Sequence, residues 1–105
     1  MTAWRSLMVV SLLLLAGCTF VKPTEKAVSV RIGTAEDVVN CQRQGQTTVS
    51  TLARVAGLPR YESSIRDELN TLARNSAANM GGDTVVPATP VKDGSQTFTI
   101  YRCRP

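Results

Sequence analysis

The sequence predicts an α+β domain in the order β-β-α-β-β, with one helix packed on a small, largely antiparallel sheet and one disulfide. Three observations predict it. One stripe of apolar residues at helical spacing ends in a glycine pair. Segments that alternate polar and apolar residues stand on both sides of that stripe. Two cysteines, Cys41 and Cys103, bracket most of the folded region. A chain of 105 residues supports one domain.

Residues 27–32 alternate, with Val28, Val30 and Ile32 on one face, which predicts a strand. Residues 33–37 break it, and residues 38–41 resume an extended reading that ends near Gly45. Residues 46–52 are rich in β-branched Thr47, Thr48, Val49 and Thr51 and read as a strand. Val49, Leu52, Ala53 and Ala56 in the same stretch also fit a helical spacing.

The clearest element follows Gly57-Leu58-Pro59. Ile65, Leu69, Leu72, Ala73, Ala77 and Met80 form a stripe on one side of a helix, with Asp67, Asn70, Thr71 and Arg74 opposite. Ser64 with Asp67 three residues later matches a capping box, and Asp67 and Glu68 suit a first turn. Gly81-Gly82 ends the helix. Residues 83–86 then begin a strand that Pro87 and Pro90 push to a sheet edge. Residues 92–95 form a hairpin turn, and residues 97–103 close the fold as a long strand. Phe98 and Ile100 lie on one of its faces, Tyr101 and Cys103 on the other.

The first residues have a different logic. Arg5 precedes an eleven-residue, mainly apolar run that ends in Ala16-Gly17, the layout of a secretory signal. A bilayer-spanning helix needs about 20 apolar residues, so this run is too short to be a permanent anchor. Leu15-Ala16-Gly17-Cys18 resembles the lipobox of bacterial lipoproteins, which implies cleavage before Cys18 and acylation of that residue. Each buried methylene contributes about 0.8 kcal/mol, and two or more acyl chains anchor stably where one does not. The resemblance also implies outer-membrane sorting, because Thr19 stands where an Asp would signal retention.

The expected organisation is therefore a signal at 1–17, a lipidated Cys18 with a short tether at 18–26, and a periplasmic domain at 27–105. The eight tether residues after Cys18 reach at most about 30 Å, which keeps the domain near the membrane surface. Removing the signal leaves 88 residues, too few for a large core, so a covalent staple is expected. With Cys18 assigned to lipid, Cys41 and Cys103 read as one intramolecular disulfide in an oxidising compartment, free thiols and a mixed disulfide being the alternatives.

Composition narrows the function classes. Histidine is absent, which excludes Ser-His and Cys-His catalysis and His-bound zinc. Glu36-Asp37 and Asp67-Glu68 are sequence neighbours whose side chains diverge, so neither makes an acid–base pair. A net charge of +4 with five aromatic residues falls short of a nucleic-acid-binding profile. Arg43, Arg54, Arg60, Arg66, Arg74, Lys92, Arg102 and Arg104 would suit anionic lipid or an acidic protein as well as plain solubility.

Cys41 with Gly45, the run Ala77-Ala78-Asn79-Met80-Gly81-Gly82-Asp83-Thr84-Val85-Val86 and the closing Tyr101-Arg102-Cys103 carry a resemblance. Together they resemble the small envelope lipoproteins of Gram-negative bacteria grouped under a domain of unknown function. More distantly they are similar to the outer-membrane lipoprotein that senses envelope stress in the Rcs phosphorelay. That sensor has two disulfides and a long proline-rich tether, whereas this chain has cysteines for one bridge and a tether of about eight residues. Composition, the lipobox resemblance and the residue patterns together lead to the expectation of a lipid-anchored, non-enzymatic binding or structural accessory with no cofactor, no metal and no nucleic acid. The membrane is its partner through the anchor, and an envelope protein is its expected second partner. The alternative is a stress sensor that signals by protein contact.

Overall fold

The computed structural model describes residues 25–105. Seven elements carry the fold: β1 (Arg31–Ile32), β2 (Gln42–Ser50), β3 (Arg54–Val55), β4 (Leu58–Pro59), α1 (Glu62–Asn79), β5 (Thr84–Pro87) and β6 (Ser95–Arg102). Four of the strands form one sheet in the order β1-β5-β6-β2. The β2–β6 and β5–β6 pairs are antiparallel and the β1–β5 pair is parallel. α1 packs on one face of this sheet, so the α+β expectation of one helix on a largely antiparallel sheet holds.

The helix stripe is the core. Ile65, Leu69, Ala73 and Ala77 are buried against Val30, Val49, Val85, Phe98 and Ile100, with Ile32 and Leu72 packed at the margin. Phe98 and Ile100 share the helix-facing side of β6, as their alternation requires. Met80, at the end of the stripe, is instead exposed. On the other side the strands pair hydroxyls: Thr48 and Thr97 lie 2.8 Å apart, and Ser50 donates to Ser95 at 3.1 Å. Such cross-strand pairs fix register where no apolar side chain does.

The helix ends as its glycines require. Gly81 takes a positive φ of 75°, its N–H donates to the Ala78 carbonyl, and the Gly82 N–H donates to the Ala77 carbonyl at 2.8 Å. This is a Schellman ending, which satisfies carbonyls the helix leaves open. Gln44 Nε2 adds bonds to the Met80 and Gly81 carbonyls at 3.4 Å each. The turn at 92–95 also forms, with Asp93 and Gly94 both at positive φ and Lys92 bridged to Ser95.

Five local expectations are corrected. Residues 27–32 are not one strand: Ala27–Ser29 form a 3-10 turn that buries Ala27 and Val30 and leaves Val28 71% exposed. The apolar residues there obey a period of three rather than two. Gly45 does not end an extended segment but sits at a bulge inside β2, where the register with β6 shifts between Arg43 and Gly45. Residues 52–59 form the β3–β4 hairpin around Ala56-Gly57, an element the sequence reading left out.

The helix starts at Glu62, with Tyr61 as its N-cap and no side-chain cap bond, so Ser64 lies inside the first turn and no capping box forms. The chain leaves β4 only at Pro59, and the helix begins as soon as it is free to turn. Finally, β5 is an inner strand. β1 reaches only Thr84 and Val85, so Pro87 lies beyond its end and its missing N–H costs the sheet no bond to β1.

Candidate functional site

The end of the sheet where the chain enters β1 and leaves β6 gathers the residues of interest. Gln42 opposes Arg102 in the β2–β6 register, so Cys41 and Cys103 occupy the next rung outward. Their Cα atoms are 4.5 Å apart and the sulfurs are bonded. The disulfide thus continues a ladder that hydrogen bonds have already aligned. It links positions 62 residues apart in sequence.

Asp83 organises the same corner from the turn between α1 and β5. Its Oδ1 accepts the Cys103 N–H at 2.9 Å and the Thr84 hydroxyl at 3.0 Å, and its Oδ2 accepts the Arg104 N–H at 2.8 Å. Its backbone N–H donates to the Tyr101 carbonyl at 2.9 Å, and its carbonyl accepts the Arg31 N–H at 3.0 Å. One residue therefore ties β1, β5 and the C-terminal tail together. Burial alone would raise the Asp83 pKa, but the Cys103 and Arg104 N–H donors, with the Thr84 hydroxyl and the Arg104 charge, hold it below the ordinary carboxylate value. Sequence reasoning passed over this aspartate, because its backbone donors lie 20 and 21 residues further along the chain.

Beyond the last rung, Asn40, Gln42, Arg102, Cys103, Arg104 and Pro105 line a shallow pocket of about 380 Å³. Arg102 Nε donates to the Arg104 carbonyl at 3.3 Å. The lining offers guanidinium and carboxamide donors and no acidic side chain, free thiol or free base. It can hold an anion; it supplies no group that moves a proton.

A second polar centre lies at the opposite end of α1. Arg60 Nη2 meets Glu68 Oε1 at 2.5 Å and Arg60 Nη1 meets Glu68 Oε2 at 3.0 Å, while Nη1 also donates to the Leu52 carbonyl at 2.9 Å. The Thr51 hydroxyl donates to the same carboxylate. Hydrogen bonds from Arg60 first, and from Thr51, draw the Glu68 pKa from an ordinary 4.5 down to about 2. This fork fastens the β3–β4 hairpin to the helix. The hairpin and its flanks carry Leu52, Val55, Leu58 and Tyr61, all exposed.

The acidic pairs read from sequence separate as expected: Asp37 bonds the Thr34 N–H at 2.8 Å, and Glu68 faces Arg60 while its neighbour Asp67 is exposed. The Thr34 N–H and hydroxyl, with Arg31 nearby, keep the Asp37 pKa low. Cys41 and Cys103 are where the sequence placed them, bonded to each other; Cys18 lies outside the described residues. Among the described residues no cluster of three or more metal-ligating side chains occurs, and no helix is long and apolar enough to cross a membrane.

The fold and this corner define a disulfide-stitched α+β module whose distinctive end is a cationic tail held by an aspartate. The chain belongs to the family described as a domain of unknown function (DUF4156), whose profile matches residues 21–103. No curated protein matches the chain, and no solved structure does either.

Proposed function

We propose that the protein is a lipid-anchored envelope lipoprotein, acylated at Cys18, with its domain in the periplasm on the outer membrane, acting as a non-enzymatic binding or structural accessory. The observation that carries this reading is the position of Leu15-Ala16-Gly17-Cys18 at the end of a short apolar run, three residues before the family domain begins at residue 21. The Cys41–Cys103 disulfide supports an oxidising compartment. The pocket at the disulfide end, lined by arginine and carboxamide side chains, supports binding over catalysis.

A signalling role as an envelope-stress sensor is the second reading. The exposed Val55, Leu58 and Tyr61 favour it, because a rigidly held apolar hairpin suits contact with a protein. In-cell crosslinking from position 58 separates the two: a signalling-protein adduct supports the sensor, and an adduct with a porin or assembly factor supports the accessory.

The anchor is tested by metabolic labelling with palmitate. Label is expected in the native chain and absent from Cys18→Ser; label in that variant, or none in the native chain, overturns the anchor.

A further inference from the structure

The tail after β6 is fastened more firmly than its packing explains. Cys103 is bonded to Cys41, the N–H groups of Cys103 and Arg104 both end on Asp83, and Arg102 Nε is held by the Arg104 carbonyl. Yet Arg102, Arg104 and Pro105 are all exposed, so this fastening buries no core. What it fixes is the backbone of two arginines at the rim of one pocket and, through Nε, the guanidinium of Arg102, with the carboxamides of Asn40 and Gln42 completing the lining.

The Arg102 bond through Nε sets the plane of its guanidinium and leaves both Nη groups without a protein partner among the described residues. Arg104 makes no ion pair within 4 Å among those residues; Asp83, whose charge lies near it, already accepts from three donors. A fixed guanidinium presents paired N–H groups that match two oxygens of a tetrahedral anion. The Arg102 fork, with the Arg104 guanidinium and two carboxamides beside it, suits the several oxygens of a phosphate ester better than the two of a carboxylate.

We propose that this corner binds a phosphate ester, with Arg102 and Arg104 gripping the anion and Asn40 and Gln42 donating to its remaining oxygens. The entry of the chain places the site. Arg31 opposes Thr84, the neighbour of Asp83, so the chain enters β1 at this same end. A membrane phospholipid headgroup is then the nearest source of the phosphate, a point that rests on the lipid-anchor reading; a soluble phosphate ester is the other source.

The test uses the protein as purified from cells, held in micelles of a phosphate-free sugar detergent, with ¹⁵N side-chain spectra reporting the arginine Nε groups. Saturable shifts of Arg102 and Arg104 on adding glycerol 3-phosphate support the site with a soluble source. Shifts only on adding phosphatidylglycerol to the micelles support it with a headgroup source. No shift in either arm overturns it.

The double variant Arg102→Gln/Arg104→Gln should bind at least about tenfold more weakly. Arg54→Gln, on the hairpin at the far end, should stay within about twofold. Equal weakening in both variants means diffuse charge attraction and overturns the site. The glycerol 3-phosphate arm needs no acyl chain, so it reads the site even where palmitate labelling rejects the anchor.

Discussion

Glu68 has its charge fixed by neighbours rather than by burial. Arg60 and Thr51 bond only the ionised carboxylate, so the folded state holds its pKa at about 2 while the unfolded chain returns it toward 4.5. A carboxyl whose folded pKa is depressed stabilises the fold above its unfolded pKa and loses that contribution as the pH falls through the folded value. The native chain should therefore lose stability between pH 4.5 and pH 2, and the urea midpoint of Glu68→Gln should fall less over that interval. Asp37 and Asp83 are depressed too, so the native slope does not vanish entirely in the variant. Curves of equal steepness for the two proteins would show that the Arg60 fork does not persist in solution. At neutral pH, Glu68→Ala should cost about 1 kcal/mol, because the pair is half-exposed and screened by water. Gly82 offers a steric contrast. A Cβ there would stand 2.3 Å from Ile100 Cγ2 and 3.1 Å from the Tyr101 carbonyl, one a core side chain and the other a strand backbone. Gly82→Ala should lower stability by about 1–3 kcal/mol, read as a shifted urea midpoint at unchanged slope.

At the scale of elements, α1 was legible because its signal is local. Eighteen residues with a stripe at 3.6-residue spacing and a glycine pair at one end leave little choice of structure. Its start was misread because the Ser64 pattern is satisfied by chance, while the true boundary is set by where β4 releases the chain. β6 was legible through Phe98 and Ile100, and the turn before it through Asp93-Gly94. The β3–β4 hairpin was illegible for a physical reason: Val55 and Leu58 are exposed, so no periodic burial marks them. Its attachment is a side-chain fork between residues eight apart, Arg60 and Glu68, and not an apolar face. The disulfide pair could be read by counting cysteines. Asp83 could not, since its partners are backbone N–H groups brought to it by the tertiary fold. The same distinction predicts opposite outcomes for two leucines. Leu69→Ala empties a fully buried site under the sheet and should cost about 2–5 kcal/mol, whereas Leu58→Ser on the hairpin should change stability by less than about 0.5 kcal/mol. Thermal unfolding of the two variants beside the native chain checks both.

For the molecule as a whole, the question is what keeps so small a domain folded. Its core holds one fully buried aromatic ring, Phe98, and a helix face on which alanine supplies Ala73 and Ala77 beside Ile65 and Leu69. Small side chains let α1 lie close to the sheet but remove little apolar area from water. The long-range constraint comes instead from closing β2 against β6, the two strands that the disulfide joins at their outer rung. A cross-link spanning 62 residues removes about 4 kcal/mol of loop-closure entropy from the unfolded chain on the chain-entropy model. Domains of this class have total stabilities of about 5–15 kcal/mol, so the bridge is a large fraction of the whole. Cys41→Ala/Cys103→Ala should therefore unfold at a midpoint lower by about 1–4 M in urea, given slopes of about 1–3 kcal/mol per molar. The ladder below the bridge is hydrogen-bonded from Gln42↔Arg102 to Ser50↔Ser95, so the native sheet should survive in the variant under mild conditions. The two expectations are separable: circular dichroism reports the sheet, and the urea midpoint reports the constraint. A variant with native dichroism and an unchanged midpoint would mean that the unfolded chain already keeps β2 near β6, and that the bridge serves to hold the Arg102–Arg104 corner rather than the fold.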